Sequence, residues 1–173
     1  MIHVLRLGHR PFRDQRISTH CGLVARALGA EKIIYSGEHD SKLEESVAKV
    51  SSRWGGIFSI SYDKNWKRVM ESYKRKKFLV IHLTIYGLPV QEHIDKIRKS
   101  RDVLLVIGGE KVPGGVYEIA DMNISVTNQP HSEVAALAIF IHEFYKGKEL
   151  EKKFPMSKIK IIPQARGKKT VTR

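Results

Sequence analysis

The sequence predicts an α/β fold, a mainly parallel sheet with helices on both faces. Short apolar runs alternate with amphipathic segments along most of the 173 residues, which is typical of repeated strand–helix units. The run Phe78–Tyr86 is apolar enough for a strand buried on both faces. Two later strands end in the polar turns 108–113 and 127–131. Open α/β sheets bind ligands at such carboxyl ends of strands.

Each element has its own signal, either an apolar run or helical spacing of apolar residues. Gly29 ends the first helix, Ser41 with Glu44 forms a capping box for the second, and Asn65 caps the third. The predicted strands are His3–Leu7, Lys32–Tyr35, Phe58–Tyr62, Phe78–Tyr86, Val103–Ile107 and Met122–Val126. The predicted helices are Ile17–Leu28, Lys42–Trp54, Trp66–Lys76, Val90–Ser100, Gly114–Ala120 and Ser132–Tyr145.

Composition indicates a globular protein of the cytoplasm. Hydrophobic residues make up 42% and charged residues 28% of the chain, as in ordinary globular domains. The single cysteine, Cys21, excludes an intrachain disulfide and fits a reducing compartment. The first residues lack the apolar core of a signal peptide, and no apolar run is long enough for a membrane span.

The charge pattern indicates a polyanionic partner. Lys and Arg number 31 against 18 Asp and Glu, a net charge of +13, and such an excess favours nucleic acid over mere solubility when it is clustered. It concentrates in the segments 6–16, 65–77 and 151–173. We expect residues 1–150 to form one domain and residues 151–173 a basic extension, with a small strand at 158–162 and a flexible end at 167–173.

Several kinds of site are excluded by the residue pattern. The eight histidines have no metal-ligand spacing, so we predict no metal. The chain has no G-x-S-x-G elbow and neither of the two glycine-rich phosphate fingerprints. His20 and Cys21 are neighbours on a helix and point to different faces. The hydrolase classes therefore have little support.

Three features have both a structural and a functional interpretation. Glu110 and Lys111 are ordinary turn charges, or part of a loop whose glycines let a backbone approach a ligand. Ser132 and Glu133 cap a helix, or sit beside free N–H groups that hold a ligand. Arg26, among apolar neighbours on the first helix, extends to solvent or reaches a reacting group.

The chain resembles the SPOUT superfamily of methyltransferases, and within it the archaeal tRNA ribose methyltransferases that modify cytidine 56 of the T-loop. Four segments carry the resemblance and together span most of the chain: LRLGHRPFRDQRISTHCGLVARALGA (5–30), LVIHLTIYG (79–87), VIGGEKVP (106–113) and VTNQPHSEVAALAIFIHEF (126–144). The first is the most specific of the four.

The resemblance implies a deep trefoil knot in the C-terminal part of the sheet, a homodimer, and S-adenosylmethionine held by three loops. The implied cofactor-binding residues are Leu83, Gly108, Gly109, Glu110, Lys111, Val112, Val126, Thr127, Asn128, Gln129, Pro130, His131, Ser132 and Glu133. The ribose-methylating branch has an Arg six residues after an Asn, and Arg26 follows His20 at that spacing. The branch often has Ser-Leu-Asn where this chain has His131-Ser132-Glu133.

The resemblance also implies a mechanism, in which the enzyme positions a ribose 2′-hydroxyl in line with the methyl–sulfur bond. A guanidinium is a poor base, so Arg26 is expected to stabilise charge on the oxygen, in its own or the partner's site. Candidate tRNA phosphate contacts are Arg10, Arg13, Arg16, Lys168 and Lys169. The alternatives are an RNA-binding protein without catalysis and a knotted enzyme that methylates a base.

Overall fold

Six strands alternate with six helices along most of the chain, in a computed structural model that describes residues 1–109 and 111–172. The strands are β1 Ile2–His9, β2 Lys32–Gly37, β3 Ser59–Tyr62, β4 Leu79–Pro89, β5 Val103–Gly108 and β6 Met122–Ser125. The helices are α1 Pro11–Ala27, α2 Ser41–Trp54, α3 Trp66–Arg75, α4 Val90–Ile97, α5 Gly114–Ile119 and α6 Glu133–Tyr145.

These strands form one sheet in the order β3-β2-β1-β5-β4-β6, and every pairing is parallel. Val4 on β1 belongs to the apolar core that also includes Cys21 of α1 and Leu137 of α6. Its neighbour Leu5 belongs to the core on the other face, with Val69 of α3 and Val116 of α5. The predicted α/β fold with helices on both faces is confirmed. The trefoil knot stays a prediction.

Three helix starts differ from the prediction, and that of α6 does so by only one residue, at Glu133 instead of Ser132. Helix α1 begins at Pro11, six residues early, because proline at the first helical position fixes a helical φ and lacks an N–H that would have no partner there. Asp40 rather than Ser41 caps α2: its carboxylate accepts from the backbone N–H groups of Lys42 and Leu43 at 3.0 and 3.1 Å. The predicted cap of α3, Asn65, is confirmed by a 3.0 Å bond from the Arg68 N–H.

Strand β4 is longer than predicted and contains a bulge. Leu83 and Leu88 both pair with Ile124, so residues 84–87 project from the sheet. A Cβ on Gly87 would lie 2.5 Å from the backbone carbon of Ile124. Only glycine lets the end of the bulge approach β6 this closely, and the projecting residues become part of a cavity wall.

The C-terminal extension packs on the rest of the chain. After a 3-10 helix, Lys148–Glu151, the chain forms a hairpin of β7, Ile159–Ile161, and β8, Thr170–Thr172. The predicted small strand is present, whereas part of the predicted flexible end is β8, because its backbone groups pair with β7. None of the helices in residues 1–109 and 111–172 combines the length and apolarity needed to cross a membrane.

Candidate functional site

A cavity of about 470 Å³ lies where β4 and β5 end and α6 begins; we call it the loop cavity. Its walls are the bulge of β4, the turn after β5 and the first residues of α6. Seven of the predicted cofactor-binding residues line it: Leu83, Gly108, Gly109, Val112, Pro130, His131 and Glu133. The structure therefore brings residues from all three predicted loops to one space.

Some predicted cofactor-binding residues support the loops instead of lining the cavity. The amide Nδ2 of Asn128 donates to the carbonyl oxygens of Ile85 and Gly87 and so holds the bulge. Ser132 Oγ accepts from the Val134 N–H at 3.1 Å, the capping role given by the structural interpretation. Val126 packs against the core. Thr127 and Gln129 lie in the loop between β6 and α6, and Glu110 lies outside the described residues.

Sequence reasoning missed a polar network in the cavity wall. His82 is fully buried, and its Nδ1 donates to Asn123 Oδ1 at 2.9 Å, because the Asn123 amide nitrogen donates to the carbonyl of Tyr117. The Tyr117 ring meets the imidazole edge-on, and its hydroxyl lies 3.2 Å from Thr84 Oγ1. The only signal in the sequence is a histidine and a threonine in an apolar strand.

His82 presents a neutral acceptor at this wall. Burial lowers the pKa of His82, against a smaller opposite effect of the Asn123 hydrogen bond. With the proton on Nδ1, Nε2 carries a lone pair, and this buried atom has no hydrogen-bond partner in the described part of the chain. His82 lines the loop cavity, so a ligand there can satisfy the lone pair.

A second cavity, of about 410 Å³, opens beside the first at the ends of β1 and β2; we call it the basic pocket. Arg6, Arg10, Arg13 and Lys111 line it together with Asp14 and Glu38, among others. Arg10 Nε donates to Asp14 at 3.1 Å. The predicted RNA contacts Arg10 and Arg13 thus share one pocket, and Arg16 is exposed farther along α1.

One wall of the basic pocket is fixed by buried hydrogen bonds. The fully buried His9 bonds Ser18 Oγ through Nδ1 at 2.8 Å and Asp40 Oδ2 through Nε2 at 3.1 Å. Burial raises the pKa of Asp40, but the hydrogen bonds from Leu43 N, His9 and Lys42 N outweigh it and lower that pKa overall. A Cβ on Gly37, whose φ is +109°, would lie 2.4 Å from the His9 carbonyl oxygen. The ends of β1 and β2 are therefore locked together.

An ion pair joins the two cavities. Arg6 is 2% exposed, and its Nη2 lies 3.1 Å from Glu133 Oε1. Arg6 lines the basic pocket, Glu133 lines the loop cavity, and Gly109 lines both. A Cβ on Gly109 would lie 3.9 Å from each member of the pair. Arg6 takes the place of an apolar residue on the face of β1 that carries Ile2 and Val4, a signal that sequence analysis left unused.

Arg26, the predicted catalytic residue, lies elsewhere. Its Nη2 donates to the carbonyl of Gly55 at 2.6 Å, and its guanidinium carbon is 4.7 Å from the ring centroid of Phe154. Gly55 precedes β3, so Arg26 lies at the amino ends of the strands. The loop cavity lies at the opposite end of the sheet, where the strands end. Within its own chain the side chain faces the C-terminal extension, and the catalytic role of Arg26 stays a prediction.

The predicted RNA contacts Lys168 and Lys169 lie on the hairpin, away from the basic pocket. The hairpin packs near the end of α2, where the Lys158 N–H donates to the carbonyl of Arg53 at 2.9 Å. Lys168 and Lys169 are exposed beside Trp54. The structure thus places the predicted phosphate contacts at both ends of the sheet. Within the described residues, no three His, Cys, Asp or Glu side chains are grouped to hold a metal.

Solved structures with this fold are described as a tRNA modifying enzyme and as a methyltransferase in complex with AdoMet. A TrmH/SpoU tRNA modifying enzyme from A. aeolicus superposes with a TM-score of 0.61 at 15% identity, over 87% of this chain and 76% of that one. The SpoU methyltransferase AviRb from Streptomyces viridochromogenes, in complex with AdoMet, gives 0.63 at 14%, over 86% of this chain and 60% of that one. At these identities the likeness establishes the fold.

Sequence relatives establish the family. A tRNA (cytidine(56)-2'-O)-methyltransferase from Methanothermobacter thermautotrophicus is 54% identical over 96% of this chain and 94% of that protein. One of the same description from Pyrococcus horikoshii is 52% identical over 99% and 85%. Residues 54–171 match the family model described as "tRNA ribose 2'-O-methyltransferase, aTrm56". The chain belongs to this family of tRNA ribose 2′-O-methyltransferases.

Proposed function

We propose that this protein transfers a methyl group from S-adenosylmethionine to the ribose 2′-oxygen of cytidine 56 in tRNA. The loop cavity holds the methyl donor and the basic pocket receives the nucleotide. The observation that carries the proposal is Gly109, which forms a wall of both cavities and has no side chain to separate them. Donor and acceptor can therefore meet across one residue, the proximity that a transfer reaction requires.

The residues of the loop cavity fit the proposed cofactor. Its volume of about 470 Å³ is within the usual range for sites of small ligands. Nε2 of His82, which has no partner among the described residues, is an acceptor for an amino or hydroxyl group of the adenosine part. Glu133 adds a carboxylate, which suits a cationic ligand. When bound, S-adenosylmethionine supplies an already activated methyl group.

The chain's own residues then have binding and orienting tasks. Arg10 and Arg13 in the basic pocket, with Arg16 nearby on α1, bind phosphates on either side of the target nucleotide, which must leave its stack to be reached. Lys168 and Lys169 bind the tRNA backbone at the other end of the sheet. Such contacts recognise the shape of the tRNA more than its sequence.

We propose that the protein is a cytoplasmic homodimer. Tyr86 on the bulge and Ile139 on α6 are 81% and 47% exposed, although both are large and apolar. A second copy packed over α6 would cover them and close the loop cavity. A catalytic role for Arg26 would then have to be played in the partner's cavity. Sedimentation analysis tests this: the wild type is expected as a dimer and Ile139→Lys as a monomer.

Product mapping tests the reaction. Unmodified tRNA transcript is incubated with the protein and S-adenosylmethionine labelled in its methyl group. A 2′-O-methyl at cytidine 56 makes the following phosphodiester resistant to alkali, so one alkali-stable dinucleotide should carry the label. Label on a base would favour the knotted base methyltransferase. Binding of tRNA and cofactor without transfer would favour an RNA-binding protein without catalysis.

A further inference from the structure

We infer that Glu133, held in place by Arg6, distinguishes the positively charged methyl donor from its neutral product. The inference rests on the proposed function, since it assigns a task to one carboxylate of the loop cavity. It explains why a buried arginine and a partly buried glutamate lie at the boundary of two cavities.

The ion pair is difficult to explain by stability. Arg6 is 2% exposed on a central strand, and its Nε is buried with no partner in the described residues. Removing two charges from water costs free energy that a single pair seldom returns, so apolar residues of similar volume are often as stable. The pair is therefore better explained by the ligands of the two cavities that it separates.

Its two ends match the charges of the proposed ligands. Glu133 lines the loop cavity, and Arg6 lines the basic pocket with two further arginines and a lysine. The negative end thus faces the cationic donor and the positive end faces the anionic RNA. Arg6 Nη2 donates a hydrogen bond to Glu133 Oε1 at 3.1 Å. This bond fixes the carboxylate at the cavity wall.

The position of Gly109 selects the sulfonium as the group that Glu133 recognises. The transferred methyl must face the acceptor, so the sulfur lies close to the wall shared by the two cavities. That wall is Gly109, and a Cβ there would be 3.9 Å from both Glu133 Oε1 and Arg6 Nη2. Of these two side chains, only that of Glu133 lines the loop cavity. The ammonium of the donor's amino-acid part is present in both donor and product and need not lie near the shared wall.

This assignment predicts a change in selectivity rather than in affinity alone. In the transfer, the ribose oxygen forms a bond to the methyl carbon, the carbon–sulfur pair returns to sulfur, and the hydroxyl proton passes to water in the open basic pocket. The cofactor loses its positive sulfur, so it loses its attraction to Glu133. A partly buried charge interaction of this kind is worth about tenfold in affinity.

Calorimetric titration with S-adenosylmethionine and with S-adenosylhomocysteine tests the inference without turnover. Glu133→Gln is expected to weaken binding of the sulfonium about tenfold and to leave binding of the thioether within about twofold. The exposed Glu45 on α2 provides the control: Glu45→Gln should leave both affinities unchanged. Equal losses of both ligands, or an unchanged ratio, would overturn the role of Glu133.

Because Glu133→Gln leaves Arg6 buried without its partner, thermal unfolding must accompany the titration. The double variant Arg6→Met with Glu133→Gln removes both charges and should show the same loss of selectivity in a folded protein. A double variant that keeps the wild-type ratio contradicts the inference. If the wild type binds neither ligand, the proposed function itself fails, which is a different outcome.

Discussion

The guanidinium of Arg26 lies against the ring of Phe154, 4.7 Å from its centroid, and so connects the end of α1 to the C-terminal extension. Neighbouring contacts make the same connection: Lys152 Nζ donates to the carbonyl of Gly29 at 3.0 Å, and the Gly56 N–H donates to the carbonyl of Pro155 at 2.8 Å. Arg26 thus anchors the extension within its own chain.

Arg26→Ala is expected to loosen the extension. The variant loses the ring contact and the hydrogen bond to Gly55, together about 2 kcal/mol of unfolding free energy. Limited trypsin digestion should cut faster near Lys152 and Lys153, and binding of S-adenosylmethionine should stay within about twofold. Phe154→Leu keeps Arg26 and should show the same faster cleavage. If only Arg26→Ala abolishes methyl transfer, the arginine acts in the partner's cavity as well.

Gly109→Val is expected to slow transfer strongly while both ligands still bind. A Cβ at Gly109 meets nothing closer than 3.9 Å, so the fold tolerates a side chain there, but its branches would occupy the space between the cavities. A displacement of about 1 Å costs on the order of 100-fold in rate. Single-turnover kinetics measures this, with tRNA and cofactor affinities determined separately.

Gly108 provides the comparison for that experiment. A Cβ there would lie 2.6 Å from Val112 Cγ2, so Gly108→Ala should lower the melting temperature and weaken cofactor binding. If the Gly109→Val variant binds both ligands and transfers at the wild-type rate, the methyl group does not pass between the two cavities at Gly109.

Binding of tRNA is expected to weaken steeply with salt, because arginine and lysine contacts to phosphate release bound counterions. Arg16→Gln should lower the slope of log K against log salt by about 0.7 to 0.9, the contribution of one phosphate. Filter binding between 50 and about 300 mM KCl measures the slope. Lys96 is exposed on α4 and provides the control, because Lys96→Gln should leave the slope unchanged. An unchanged slope for Arg16→Gln would remove it from the interface.

Stability is expected to fall as the pH decreases from 7 to 5, partly through His82. Burial lowers the pKa of His82 in the folded chain, so below about pH 6.5 the unfolded chain takes up a proton that the folded chain does not. The unfolding free energy then falls by up to about 1.4 kcal/mol per pH unit. His82→Gln should reduce this dependence, and the exposed His20→Gln should not. Urea titrations at several pH values decide it.

Much of the fold could be predicted because local signals were strong. Apolar runs located all six strands of the sheet, and Asn65 caps α3 as predicted. Ser132 caps α6, which was one of its two interpretations. The start of α1 was missed because the arginines at 10–16 hid the helix signal of Pro11. The bulge at 84–87 depends on Gly87 meeting β6, a contact between distant segments that no local pattern records.

The site was also predicted only in part, because local signals located its loops but not the contacts between distant segments. The turn after β5, the turn after β6 and the start of α6 were identified by their glycines and polar residues, and the end of β4 by the family resemblance alone. Arg6 was overlooked because a strand arginine looks like a surface charge until its partner Glu133 is known. Arg26 was chosen from its apolar neighbours on the first helix and, through the family resemblance, from its spacing to His20. Neither signal says which end of the sheet the side chain reaches.

The bonds from His9 to Ser18 and Asp40 mean that the basic pocket has its shape before any RNA arrives. This wall is already ordered in the folded protein. A nucleotide that fits therefore gains its contacts without the loss of backbone entropy that ordering a loop on binding would cause. A nucleotide with different sugar pucker or phosphate spacing meets the same rigid surface and finds fewer donors in reach. If the pocket receives the target nucleotide as proposed, we expect discrimination between correct and incorrect tRNA positions to depend on the conformation of the substrate.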